Sequence, residues 1–116
     1  MWLFCKSGFF SAVQHIDAPG TVHVRARFAG DLEKLCGAHG VKPCVQVTPS
    51  ADYRFRMDFP RETWARIVSE EAAAIDYTNF KAAVHDGTAR DEAYFGAWVA
   101  MRNGQQQFNV GRRFAE

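Results

Sequence analysis

Two segments of the chain alternate strictly between apolar and polar side chains. They are Val22–Phe28 and Tyr53–Phe59. Successive side chains of an extended strand point to opposite faces, so a period of two predicts a half-buried strand. If both strands lie in one sheet with their apolar side on the core, their polar side chains share the opposite face. This predicted basic face carries His23, Arg25, Arg27, Arg54 and Arg56.

The remaining extended segments are expected to belong to the same sheet. Residues 2–5 and 9–16 flank a turn that ends in Gly8, a pattern typical of a β-hairpin. Phe10, Ala12 and Ile16 are predicted to form the core side of the second arm. Residues 41–48 contain Pro43, which has no amide hydrogen to donate, so this strand is expected at the sheet edge.

Three to four helices are predicted between and after these strands. The first begins near Asp31, a plausible cap, and the second follows Pro60, a residue favoured in the first turn. A short helix is predicted after Thr78, and a longer one after Thr88–Asp91, which resembles a capping box. Their apolar stripes contain Leu32, Leu35 and Cys36 in the first, Trp64, Ile67, Val68, Ala72 and Ile75 in the second, Phe80, Ala83 and Val84 in the third, and Tyr94, Ala97, Trp98 and Met101 in the last.

This order of elements predicts an α+β fold. We expect an antiparallel sheet of about five strands with three to four helices packed on one face, a two-layer sandwich related to the ferredoxin-like arrangement. Residues 1–103 would form a single domain. From residue 104 the composition shifts to Gly, Gln and Asn, so 104–116 are expected to form a flexible C-terminal tail.

Composition narrows the possible functions. The formal net charge is +1, so any electrostatic function must come from local segregation of charge. No apolar run is long enough to span a membrane, and the first residues lack the basic start of a signal peptide. With three cysteines, the expectation is a cytoplasmic protein with free thiols and no membrane association.

Several short motifs also resemble a known family. They are residues 1–4 (MWLF), 8–11 (GFFS) with Val13, 24–27 (VRAR), 52–53 with Arg56, and 76–81 (DYTNFK). Together they resemble a family of short uncharacterised bacterial proteins, and the likeness covers roughly residues 1–102. It implies a small bacterial domain, and it transfers no catalytic residue. The stretch from Gly37 to Val47 departs from the pattern.

The basic face is the leading candidate for function. Guanidinium groups donate to phosphate oxygens in pairs, so Arg25, Arg27, Arg54 and Arg56 would bind nucleic acid or another polyanion. His23 would add a pH-dependent donor. Trp2 is the ring expected to stack on a base, as aromatic residues do in RNA-binding sheets. Alternatively, these charges form an ordinary solvated surface.

Two sequence patterns suggest other chemistry. Cys36, His39 and Cys44 have ligand types that zinc favours, but a structural site needs a fourth ligand. Ser11 and His15 suggest hydrolysis, yet four residues along a strand separate them by roughly 13 Å. We therefore expect binding rather than catalysis, with no cofactor and no metal.

Two polar segments offer further alternatives. Residues 76–81 could line a ligand site, although Asp, Thr and Asn are typical of helix caps. The tail, with Arg112 and Arg113, or the sheet edge at 43–48 could instead contact a protein. The alternative function is accordingly a protein-protein interaction module, either an adaptor or an inhibitor of a host or phage complex.

Overall fold

A computed structural model describes the backbone of residues 1–115 and the side chains of residues 1–109. The side chains of Arg112 and Arg113 in the predicted tail lie outside the described residues. The chain divides into two compact units, Met1–Asp76 and Tyr77–Glu116. In chain order the elements are β1 (Trp2–Cys5), β2 (Gly8–His15), β3 (Ala18–Ala26), α1 (Asp31–Ala38), β4 (Gln46–Val47), β5 (Phe55–Pro60), α2 (Arg61–Ala73), α3 (Phe80–Ala83) and α4 (Ala89–Ala115).

The first unit contains one five-stranded sheet in the order β1-β2-β3-β5-β4. Every neighbouring pair is antiparallel, and β4 lies at an edge of the sheet as predicted, although Pro43 itself precedes the strand. The predicted α+β fold class, with an antiparallel sheet of five strands, is therefore confirmed. Three consecutive strands precede the first helix, so the connections differ from the β-α-β-β-α-β order of ferredoxin-like folds.

The core of this unit lies between one sheet face and two helices. Helix α1 contacts β2 and β5, and α2 contacts β3 and β5. The predicted stripe of α1 is buried, and Trp64 of α2 packs against Phe59 with ring centroids 5.7 Å apart. The sheet contributes Phe10, Ala12, Val22, Val24, Ala26, Met57 and Phe59 to this core.

Several boundaries differ from the sequence-based expectation. Strand β3 ends at Ala26 and β5 begins at Phe55. The side chains of residues 27–28 and 53–54 therefore need not alternate between the two faces of the sheet. Ile16 is 93% exposed rather than buried because β2 ends one residue earlier. Asp31 is the first residue of α1 and not its cap, and its carboxylate instead accepts a hydrogen bond from the Phe9 amide.

The second unit consists of α3 and α4. Asn79, rather than Thr78, caps α3 by accepting a hydrogen bond from the Ala82 amide. In the first turn of α4, the Asp91 carboxylate accepts from the amides of Asp86 and Gly87, and the Thr88 amide donates to Asp86 instead, so the predicted capping box does not form. Helix α4 continues through residue 104 to Ala115. The flexibility expected of 104–116 stays a prediction, but the backbone of 104–115 is helical.

No helix among the described residues has both the length and the apolar character needed to cross a membrane.

Candidate polyanion-binding face

A row of four paired residues crosses the sheet on the face opposite the core. Trp2 of β1 pairs with Ser11 of β2, Ser11 with Arg25 of β3, and Arg25 with Arg56 of β5. Directly paired residues in an antiparallel sheet point to the same side. The strand register therefore places two of the predicted arginines and the predicted stacking ring on one face.

Arg25 of β3, Arg27 just after this strand and Arg56 of β5 gather around Tyr53. The guanidinium carbon of Arg27 lies 3.9 Å from the centre of the Tyr53 ring, and that of Arg25 lies 4.5 Å from it. Arg56 Nε donates to the Tyr53 carbonyl at 3.1 Å. We call Arg25, Arg27 and Arg56, together with this ring, the arginine cluster.

The position of Tyr53 corrects the sequence analysis, which placed its ring on the core side with Phe55. Tyr53 precedes β5 by two residues, so the alternation of that strand does not fix its side chain. The ring is 5% exposed because two guanidinium groups lie against it. The sequence signal for this contact is a tyrosine two residues before one strand, together with two arginines at alternate positions at and just beyond the end of another.

Positive charge in the cluster is only weakly balanced. Arg25 Nη2 donates to the Ser11 hydroxyl at 2.8 Å, and Arg27 Nη1 donates to the Asp52 carbonyl at 2.9 Å, both neutral acceptors. Within the described part of the chain, the one carboxylate within 4 Å is Asp52, whose Oδ1 lies 3.9 Å from Arg56 Nη2. The Asp52 side chain is 70% exposed, so water screens this pair.

One donor of Arg25 also lacks a hydrogen-bond partner within the described part of the chain. Its Nε is buried, and no partner for it is present among the described residues. Arg25 and Arg56 are direct cross-strand neighbours, an arrangement that is unfavourable for like charges. The repulsion between these two guanidinium groups is one that an anionic ligand could offset.

His23 lies on the same face but is already bound to a carboxylate. Its Nδ1 lies 2.7 Å from Asp58 Oδ1, which leaves the Nε2 side for a ligand. His15 Nε2 lies 3.8 Å from the other oxygen of Asp58, and the two imidazole rings meet edge to face at 6.1 Å. His23 therefore adds less positive charge to the face than its sequence position suggested.

The two remaining predicted ligand residues differ in their relation to the cluster. Arg54 is exposed and precedes β5, and it makes none of the contacts that assemble the cluster. Trp2 is 71% exposed, and its ring packs edge-on against Phe9 at 6.0 Å.

Neither alternative chemistry finds a suitable arrangement in the described residues. Ser11 is buried and accepts a hydrogen bond from Arg25, which leaves it poorly placed as a nucleophile. Cys36 lies in the core with its sulfur 3.6 Å from that of Met57. Among the described side chains, no group of three or more His, Cys, Asp or Glu is positioned to hold a metal ion.

His39, considered above as a zinc ligand, belongs to a different structure. Its Nδ1 lies 2.8 Å from Glu70 and its Nε2 lies 2.9 Å from Glu71, so both ring nitrogens donate to carboxylates. The Ser7 hydroxyl donates to the same Glu71 oxygen at 2.5 Å. These four residues, the His39 network, connect the β1–β2 turn and the end of α1 to α2.

The pKa values in this region follow from its burial and charge. Burial alone would lower the pKa of His39, but the hydrogen bonds to Glu71 and Glu70 outweigh it, and the pKa is raised. The same contact with His39, followed by one with Arg66, lowers the pKa of Glu70. Burial, followed by the charge of Glu71, raises the pKa of the nearby Cys5 thiol to about 11. The His39 network therefore stabilises the packing of α2 through charged hydrogen bonds.

The polar segment 76–81 has structural contacts. Asp76 forms an ion pair with Lys6 at 2.6 Å, and Asn79 caps α3. Lys81 Nζ lies 4.1 Å from the centre of the Trp98 ring. These contacts favour the capping role over a ligand site.

The sequence matches no protein-family model, and no curated protein or solved structure matches it significantly.

Proposed function

We propose that this chain is a small binding domain that holds a polyanionic ligand, such as nucleic acid, against the arginine cluster. The observation that carries this proposal is the gathering of three guanidinium groups around Tyr53 with a single exposed carboxylate nearby. Phosphate oxygens would accept hydrogen bonds from these groups and offset the repulsion between them.

Two features make phosphate a suitable ligand. Contact with the Tyr53 ring positions the Arg25 and Arg27 guanidinium groups before binding, which reduces the cost of ordering them on association. Each planar guanidinium can donate two parallel hydrogen bonds to one phosphate.

Binding to polyanions should depend steeply on salt. If the three arginines each neutralise one phosphate of a single strand, the logarithm of the association constant should fall with log salt at a slope of about −2. Replacing Arg25 by Gln should reduce this slope by about 0.7. Fluorescence anisotropy of a labelled oligonucleotide at several salt concentrations measures both quantities.

Arg66→Gln is the matched control for this measurement. Arg66 carries the same charge, but it lies on α2 and is paired with Glu70 at 3.0 Å. Its loss should leave the slope unchanged. The proposal fails if the protein binds neither oligonucleotides nor inorganic polyphosphate at low salt, or if both variants lower the slope equally.

The alternative, a protein-interaction module, is favoured by the exposed edge of the sheet. Strand β4 pairs only with β5, and Val47 at this edge is exposed. An added strand could pair there, although two residues offer few backbone groups. Capture of a protein from a bacterial lysate after nuclease treatment, and its loss when Val47 is replaced by Lys, would support this alternative.

A further inference from the structure

An aromatic patch lies beside the arginine cluster on the same face of the sheet. Phe4 and Phe9 are directly paired between β1 and β2, and their rings stack at 4.5 Å. Trp2 packs edge-on against the same Phe9, with an angle of 85° between the ring planes. We call Trp2, Phe4 and Phe9 the aromatic patch.

The register sets the distance between the patch and the cluster. Trp2 and Arg25 both pair with Ser11, from its two sides, so two strand spacings separate them. Neighbouring strands lie about 4.8 Å apart, which gives roughly 10 Å between the two backbones. A long arginine side chain and an indole ring can therefore contact adjacent parts of one extended ligand.

Trp2 is unusual among the tryptophans in how much of its ring meets water. It is 71% exposed, whereas Trp64 is buried in the core. Phe9 is buried and meets the indole in a T-shaped contact, and most of the Trp2 surface remains exposed to a ligand. The row that contains Trp2 continues through Ser11 to Arg25 and Arg56, which links this ring to the positive charge.

We propose that the ligand is single-stranded nucleic acid, with an unpaired base stacked on Trp2 and the neighbouring phosphates on the arginine cluster. This inference rests on the proposed function and specifies its ligand class. A duplex hides its base faces, whereas a single strand can present them to an aromatic ring. Base-to-ring stacking accepts every base, so the domain should bind single strands with little sequence preference.

The test compares four polyanionic ligands. They are a labelled single-stranded oligonucleotide, its duplex, an abasic strand of the same length, and inorganic polyphosphate. The intact protein should bind the single strand about ten-fold or more tightly than the abasic strand, as expected for loss of a stacked base. Trp2→Ala should remove this advantage and leave binding to the abasic strand and polyphosphate unchanged.

Trp2→Phe is the control that keeps an aromatic ring, and it should retain most of the preference. It should also abolish any quenching of tryptophan emission that the single strand causes at Trp2. Because Trp2 is exposed, both variants should unfold at the same urea concentration as the parent protein within error.

The two proposals fail in different ways. Equal affinity for single strand, duplex and abasic strand, or an equal loss for all ligands in Trp2→Ala, would overturn the stacking inference while leaving polyanion binding in place. Absence of binding to all four ligands would overturn the proposed function itself.

Discussion

Tyr53 orders the arginine cluster by contact with two guanidinium groups and a backbone bond to the third. Its ring lies against Arg25 and Arg27, and its carbonyl accepts from Arg56. Cation–π contacts of this kind contribute roughly 0.5–1 kcal/mol each at exposed sites and more where water is excluded. The ring and the carbonyl of one buried residue thus contact all three guanidinium groups.

Gly8 is the residue at which the backbone tolerates no side chain. Its φ is +144°, and an added Cβ would come within van der Waals overlap of the Asp31 carboxylate. Gly8→Ala should therefore lower the free energy of unfolding by about 1–3 kcal/mol or more, from backbone strain together with the clash. Urea denaturation measures the change.

The matched control is Gly37→Ala in α1. A Cβ at Gly37 meets no atom within 4 Å, and its backbone is helical. This substitution should be neutral or should stabilise the protein by up to about 1 kcal/mol. Equal losses in the two variants would refute the steric explanation for Gly8.

At the scale of elements, the alternation of β3 and β5 places apolar core residues on one face of these strands and charged residues on the other. Val22, Val24 and Ala26 enter the core, while His23 and Arg25 point away. This separation was predictable because it depends only on the period of two within each strand. The side of Tyr53 was not, because it depends on a turn that the local pattern does not describe.

Contacts between residues far apart in the chain could not be predicted from the sequence either. His39 meets Glu70 and Glu71 more than thirty residues later, and neither spacing nor composition indicates that pairing. Similarly, the Gly and Asn residues after 103 suggested an irregular tail, yet α4 continues there. The Gln and Arg residues interspersed among them are good helix formers, which makes the continued helix consistent with propensity.

The direct pairing of Arg25 with Arg56 predicts a conflict between stability and binding. Arg56→Glu would convert a like-charge cross-strand pair into an opposite-charge pair, which should raise the free energy of unfolding by roughly 0.2–1 kcal/mol. The same variant should weaken polyanion binding. Urea denaturation and anisotropy on one protein sample test both effects.

Arg54→Glu is the comparison, because it makes the same change of charge outside the β3–β5 ladder. Its effect on stability should be smaller. If Arg56→Glu destabilises the protein, the repulsion inferred from the register is smaller than the stabilisation lost with the hydrogen bond to the Tyr53 carbonyl.

At the scale of the whole molecule, a net charge of +1 does not describe how charge is distributed over the chain. Several acidic residues are paired with histidines: Glu70 and Glu71 with His39, and Asp58 with His23 on the same sheet face as the arginine cluster. Around Tyr53, by contrast, three arginines meet and Asp52 is the one carboxylate within 4 Å among the described residues. Neither the sum of charges nor the isoelectric point reveals this arrangement.

Stability of the first unit should fall as the pH rises above about 6.5, the ordinary pKa of histidine. The folded-state pKa of His39 is raised above its ordinary 6.5, because its bonds to Glu71 and Glu70 exceed the opposing effect of burial. A histidine with a raised folded-state pKa stabilises the folded protein fully at pH values below its unfolded-state pKa. This contribution to the free energy of unfolding is lost as the pH rises through the higher folded-state pKa. Urea denaturation across this range measures the slope.

His39→Gln should flatten this pH profile, whereas His85→Gln should preserve it, because His85 is largely exposed and lies outside the His39 network. A profile that keeps its slope in His39→Gln would show that another group is responsible. Below about pH 4, protonation of Glu70, whose pKa is lowered by His39 and Arg66, should remove stability from the acid side as well.

The strand register also has an evolutionary consequence. Residues that hold the fold and residues that would meet a ligand occupy alternate positions of β3 and β5. Descendants of this chain could therefore exchange one outward-facing set for another while inheriting the same interior. Such a scaffold can acquire a new ligand through a few substitutions at every second codon of two short stretches.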